Sequence, residues 1–144
     1  MTIRKLLILG TALPFLFVGQ AAQSAEEADP SLIIELNNLQ PNGTACRASF
    51  LVQNKLKSSL KSLEFEIVLF DSDERITQLL SIATGAFPEN KSRVSQFDLP
   101  ETDCTGIGRM MLNTITVCDG GDLSAETCLN ATETRSRAGV DLVY

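Results

Sequence analysis

Residues Cys46–Gln53 read CRASFLVQ and residues Leu63–Asp71 read LEFEIVLFD. In the first stretch Cys46, Ala48, Phe50 and Val52 alternate with Arg47, Ser49, Leu51 and Gln53. In the second, Leu63, Phe65, Ile67 and Leu69 alternate with Glu64 and Glu66. Successive side chains of a strand point to opposite faces, so a period of two sets one apolar row against a core and a polar row toward water. An amphipathic helix would repeat its apolar residues at three and four instead. Two half-buried strands follow. The far end of the second departs from the pattern, because Val68 and Phe70 join the polar side. That end is expected to be covered on both faces.

The same grammar continues outward. SLIIELN (Ser31–Asn37) precedes these strands, and Pro41-Asn42-Gly43 turns the chain through a fixed φ followed by residues tolerant of φ > 0. Asn54–Ser62 is a polar, basic connection too short for an independent helix. Asp71-Ser72-Asp73-Glu74 is a tight turn, and RITQLLSIATG (Arg75–Gly85) is the returning strand. A calcium loop needs ligands at alternating positions, a central glycine and a closing glutamate. Arg75 and Ile76 interrupt such a run, which leaves a solvated hairpin tip.

Phe87-Pro88-Glu89-Asn90 turns the chain again before KSRVSQFDL (Lys91–Leu99), which Pro100 stops. After the corner Thr105–Gly108 comes RMMLNTITV (Arg109–Val117), rich in β-branched and apolar residues. LSAET (Leu123–Thr127) predicts at most a short helical turn, capped by Asp122 or Ser124. TRSRAGVDLVY (Thr134–Tyr144) reads as a last strand with Ser136, Ala138, Val140 and Leu142 on one face. About seven short strands, regular turns, no long amphipathic helix and no internal repeat predict an all-β fold. The specific expectation is an immunoglobulin-like antiparallel β-sandwich, a single domain over residues 26–144.

Residues 1–25 have the grammar of a secretory signal peptide. Arg4 and Lys5 are basic, Leu6–Gly19 is almost wholly apolar, and Ala22 and Ser24 are small residues before a cleavage point after Ser24 or Ala25. A retained anchor is the competing reading. The apolar run is shorter than the roughly 20 residues a bilayer core requires, and Glu26 and Glu27 follow it where a stop-transfer signal would be basic. The adjacent pair is Arg4-Lys5, not two arginines, which favours the general secretory route over twin-arginine export. The expected location is the periplasm or the extracellular space, with no membrane span after cleavage. Removal of Arg4 and Lys5, with no acid removed, takes the net charge from −6 to −8. A chain so acidic is not expected to bind nucleic acid or an anionic membrane surface.

Four cysteines remain: Cys46, Cys104, Cys118 and Cys128. Behind an export signal an even count reads as two disulfides. Zinc competes poorly, since the chain has no histidine and no C-x-x-C pair. Of the three possible pairings, locality and strand position favour Cys46 with Cys104 and Cys118 with Cys128. The first would staple two sheets together. The antibody form of the fold also needs a tryptophan in the core, and the chain has none.

NKLKSSLKSLEFEIVLFDSDERI and FPENKSRVSQFDL resemble the FxLYD class of bacterial envelope domains, through Asn54, Leu69, Phe70, Asp71, Pro88, Lys91 and Phe97. Phe70 stands where that pattern has tyrosine, and Glu74 where its turn has glycine. CRASFLVQN, VLFD, RVSQFDL and Arg109–Cys118 are also similar to a group of proteobacterial secreted proteins of uncharacterised activity. This resemblance covers nearly all of the chain after the signal. It implies an immunoglobulin-like sandwich in a periplasm and brings no activity or site residues.

The chemistry available is narrow. Without histidine there is no serine–histidine or cysteine–histidine nucleophile pair. Gly106 and Gly108 lack the strand-to-helix context and basic residue of a phosphate loop. Glu64 and Glu66 could pair as glycosidase carboxylates, but two residues apart on one strand they read as a solvated face. Met110 and Met111 suggest soft-metal capture, yet point to opposite faces and read as core packing. Arg93, Arg109, Arg135 and Arg137 stand out among the cations; Arg135 and Arg137, on one face of the last strand, offer an anion patch or pair with surface acids such as Asp98, and ion pairing is the default in so acidic a chain. The sequons at Asn42 and Asn130 matter only in a eukaryotic secretory pathway. No catalytic residue, cofactor or metal ligand is therefore expected. The expected role is a noncatalytic interaction or accessory domain that meets another envelope protein through a sheet face or edge. A small ligand-binding protein or hydrolase using pocket carboxylates is the alternative.

Overall fold

The computed structural model describes residues 32–144, so the signal-peptide reading of residues 1–25 lies outside the described residues. These residues form a β-sandwich. The strands are β1 (Leu32–Asn42), β2 (Ala45–Asn54), β3 (Ser62–Phe70), β4 (Ile76–Ala83), β5 (Ser92–Leu99), β6 (Arg109–Asp119), β7 (Thr132–Ser136) and β8 (Asp141–Val143). One sheet has the order β5-β2-β1-β7 and the other β4-β3-β6-β8.

The alternating rows form the core. Leu32, Ile34, Leu36, Cys46, Ala48, Phe50 and Val52 face Leu63, Phe65, Ile67, Leu69, Met110, Leu112 and Ile115 across the sandwich, all buried. Phe50 and Phe65 meet edge to face with ring centroids 5.9 Å apart, an arrangement favoured by the ring quadrupoles. Two disulfides, Cys46–Cys104 and Cys118–Cys128, close segments of 58 and 10 residues. The connection between β2 and β3 forms no helix. It drops Leu56 and Leu60 into the core, while Asn54 binds the backbone carbonyls of Ser58 and Pro88.

The details depart from the sequence reading in three places. The first strand continues through Pro41 to Asn42, and the turn falls at Gly43-Thr44, where Gly43 has φ +62°. The C-terminal stretch is two strands, which makes eight among the described residues. Gly139, at φ +75°, turns the chain between β7 and β8, which join different sheets. Each lies parallel to its neighbour, β7 beside β1 and β8 beside β6, whereas the remaining pairs are antiparallel. The period-two pattern across Ser136–Leu142 could not reveal the break, because only the bend decides which sheet each half meets.

Between β5 and β6 the chain makes a 3-10 turn at Cys104–Gly106, capped by the Asp103 carboxylate on the Thr105 N–H. Gly108 then passes so close to the Asp71 carbonyl that a Cβ would lie 2.3 Å from its oxygen. Only glycine fits. The one α-helix among the described residues, α1 (Ala125–Asn130), starts from Ser124, whose hydroxyl accepts the Thr127 N–H while the Thr127 hydroxyl accepts that of Ser124.

Candidate functional site

The outer face of an antiparallel sheet in a sandwich is ordinarily polar. In the sheet β4-β3-β6-β8 an apolar row interrupts it. Leu79 on β4 pairs with Val68 on β3, Val68 pairs with Met111 on β6, and Met111 pairs with Val143 on β8. The four side chains form one apolar row across the whole sheet, about 15 Å from end to end at ordinary strand spacing. None belongs to the core between the sheets. Val68 is buried, Met111 half-buried, and Leu79 and Val143 are 57% and 37% exposed.

The next row continues the apolar character on one side. Ile76 pairs with Phe70 and Phe70 with Arg109, which is opposite Asp141 on β8. Arg109 lies 3.7 Å from the Phe70 ring centroid and pairs with Glu74, whose backbone sits at φ +62° in the turn before β4. Asp71 holds that turn by accepting the N–H groups of Asp73 and Arg75. The acids in this turn thus shape the backbone and orient Arg109. Tyr144, beyond β8, is 61% exposed. An apolar centre with methionine, aromatic and arginine residues and a charged rim is the composition of a protein–protein interface.

On the other side of the row the same face turns acidic. Glu66 is opposite Ser81 and Glu64 opposite Ala83. Glu66 accepts one hydrogen bond from Asn113, an extra residue at a bulge in β6. Neither carboxylate forms an ion pair among the described residues. At the edge of this sheet, Gln78 donates to the Pro100 carbonyl, while its Oε1 is buried with no hydrogen-bond partner among the described residues.

The other candidates from the sequence lie apart from this surface. Asp98 is held by both nitrogens of the Arg47 fork at 2.7 and 2.9 Å and by Asn42 at 3.1 Å, contacts that keep its carboxyl below the usual range, Arg47 contributing most. It does not meet Arg135 or Arg137. Those arginines pair with Glu133 and with Glu35, and Arg93 donates to the Thr84 carbonyl above the Phe87 ring. The four arginines therefore do not converge on one anion patch. Glu35 is buried, and its carboxyl is lowered first by the Asn37 amide and then by Arg137 and Arg135, against the opposing effect of burial.

Met110 is core, and Met111 belongs to the outer row, a role that reading both methionines as packing missed. A cleft of about 570 Å³ beside the Cys46–Cys104 bridge is lined by Pro41, Gly43, Thr44, Ala45 and Glu101–Cys104, without Glu64, Glu66 or Asp98. Among the described residues no group of three or more acids or cysteines is placed to hold a metal ion. No described helix is long and apolar enough to cross a membrane.

No protein-family profile matches the chain, and no curated protein sequence matches it. Among solved structures it is similar to IrmA from Escherichia coli, with a TM-score of 0.54 at 11% identity, over 72% of this chain and 89% of that one. At that identity the likeness is one of fold.

Proposed function

We propose that this chain is an exported, noncatalytic interaction domain of a bacterial cell envelope, which binds another envelope protein through the outer face of the β4-β3-β6-β8 sheet. The row Leu79–Val68–Met111–Val143 carries the reading. The row lies outside the core between the sheets, which is filled from the opposite faces, and its ends Leu79 and Val143 are exposed. Exposed apolar patches with polar rims on soluble domains mark docking surfaces.

Export is supported by the signal grammar of residues 1–25 and by two disulfides, which persist in oxidising compartments. The resemblance to FxLYD envelope domains favours the periplasm. The absence of histidine, and a cleft lined by none of Glu64, Glu66 and Asp98, favour binding over catalysis.

The test is affinity isolation of the tagged chain from the envelope of its native host. Met111→Glu sets a charge at the centre of the row and should remove a partner that wild type retains. Gln96→Glu, on the other sheet, should retain it. Equal recovery with both variants would sink the reading.

A further inference from the structure

We infer that the free edge of β4 accepts an extended strand from its protein partner, one that carries an apolar side chain opposite Leu79 and cationic side chains opposite Ser81 and Ala83. The inference rests on the interaction-domain reading and adds the partner's conformation and chemistry.

The four sheet edges differ in how they are guarded. Natural edges are protected by charge, proline or shortness. β5 carries Arg93 and Asp98, β7 carries Glu133 and Arg135, and β8 is three residues long. β4 reads ITQLLSIA, eight residues with no charge and no proline. Among the described residues it is the unguarded edge, and it borders the apolar row.

The backbone groups on offer can be assigned. The Thr84 N–H donates to the Leu63 carbonyl, and antiparallel bonding alternates along a strand. Ile82, Leu80 and Gln78 therefore direct their backbone groups to β3, while those of Ala83, Ser81 and Leu79 face the open edge. A docked strand bonds to these three residues. Its outward side chains extend the row at Leu79 and then pass the small Ser81 and Ala83. Beyond them, two strand spacings or about 10 Å away, stand Glu66 and Glu64. Lysine or arginine side chains have the length to cross that lane. A second copy of this chain does not suit it, because β4 has no cation to set against those carboxylates and the chain carries net charge −6.

The experiment selects binders to the mature disulfide-bonded protein from a phage-displayed library of random linear peptides. Enriched peptides should share an apolar residue with lysine or arginine two and four residues along. Their binding should fall roughly tenfold in the double variant Glu64→Gln/Glu66→Gln and weaken with salt. Ser81→Pro should abolish it. Proline removes an N–H that faces the open edge, so β3–β4 bonding survives; Ser81→Lys, which fills the lane and keeps every backbone bond, should abolish it as well. No enrichment, enrichment of acidic or non-alternating peptides, or insensitivity to both Ser81 variants would overturn the inference. So would dimerisation lost on Ser81→Lys, which would make a second copy the occupant. Peptides sensitive to Met111→Glu but not to either Ser81 variant would overturn the edge and leave the sheet face standing.

Discussion

The Arg109 guanidinium lies 3.7 Å from the centroid of the Phe70 ring, its direct cross-strand partner, and is tied at its other end to Glu74. Phe70 faces away from the core, yet is only 7% exposed. The stacked cation is one of the groups beside it, and it leaves a flat, charged shoulder beside the apolar row. Arg109→Ala should destabilise the domain by about 1 kcal/mol, the range of cation–π contacts at partly exposed sites. Arg109→Lys should recover only part of this, since an ammonium lacks the planar stack. Urea denaturation of the three proteins checks it.

Leu79 and Val68 are neighbours in the row with opposite exposure, so they separate binding from stability. Leu79→Ser, at a position 57% exposed, should change stability by less than about 0.5 kcal/mol. Val68→Ala, at 3% exposure, should cost about 1–3 kcal/mol. If the row is a docking surface, Leu79→Ser weakens partner binding despite its small effect on folding. Thermal melts alongside affinity measurements distinguish the two.

The bridges differ in what they restrain. In the chain-entropy account, the 58-residue segment closed by Cys46–Cys104 contributes about 4 kcal/mol and the 10-residue segment closed by Cys118–Cys128 roughly 2.5–3 kcal/mol. Against a typical total of about 5–15 kcal/mol, loss of the first is the graver. Cys46→Ala with Cys104→Ala should therefore lower Tm more than Cys118→Ala with Cys128→Ala. Calorimetry on both double variants gives the order.

Glu35 should make stability depend on acid pH. Its carboxyl is lowered in the folded state, chiefly by the Asn37 amide, with Arg137 and Arg135 adding to it. A lowered carboxyl contributes stability that is present above its ordinary pKa of about 4.3 and is lost as pH falls through the folded value. Glu35→Gln should be less stable than wild type at pH 7, and the gap should close below about pH 4. Tm profiles from neutral to acid pH measure it.

The sequence made the sandwich legible because β2 and β3 alternate cleanly, and because Val68 and Phe70 break the polar side of β3 where both faces are covered. It could not show the row itself. That depends on register between strands far apart in sequence, which places Leu79, Met111 and Val143 beside Val68. Two bulges in β6, at Asn113 and Thr116, shift that register and hide it from any period-two reading. The turn at Gly139 likewise concealed that Val143 belongs to this sheet while Ser136 belongs to the other. The sequence offered Asp98 to Arg135 and Arg137, and could not show that its partner is Arg47, on a strand 51 residues earlier.

Site-specific photo-crosslinking in the native host tests the central claim most directly. A photoreactive residue at Leu79 or Val143, both on the row and exposed, should give one discrete adduct with another envelope protein. The same residue at Gln96, exposed on the opposite sheet, should give none. Adducts of equal yield from all three positions, or from Gln96 alone, would contradict the assignment of this face as the docking surface.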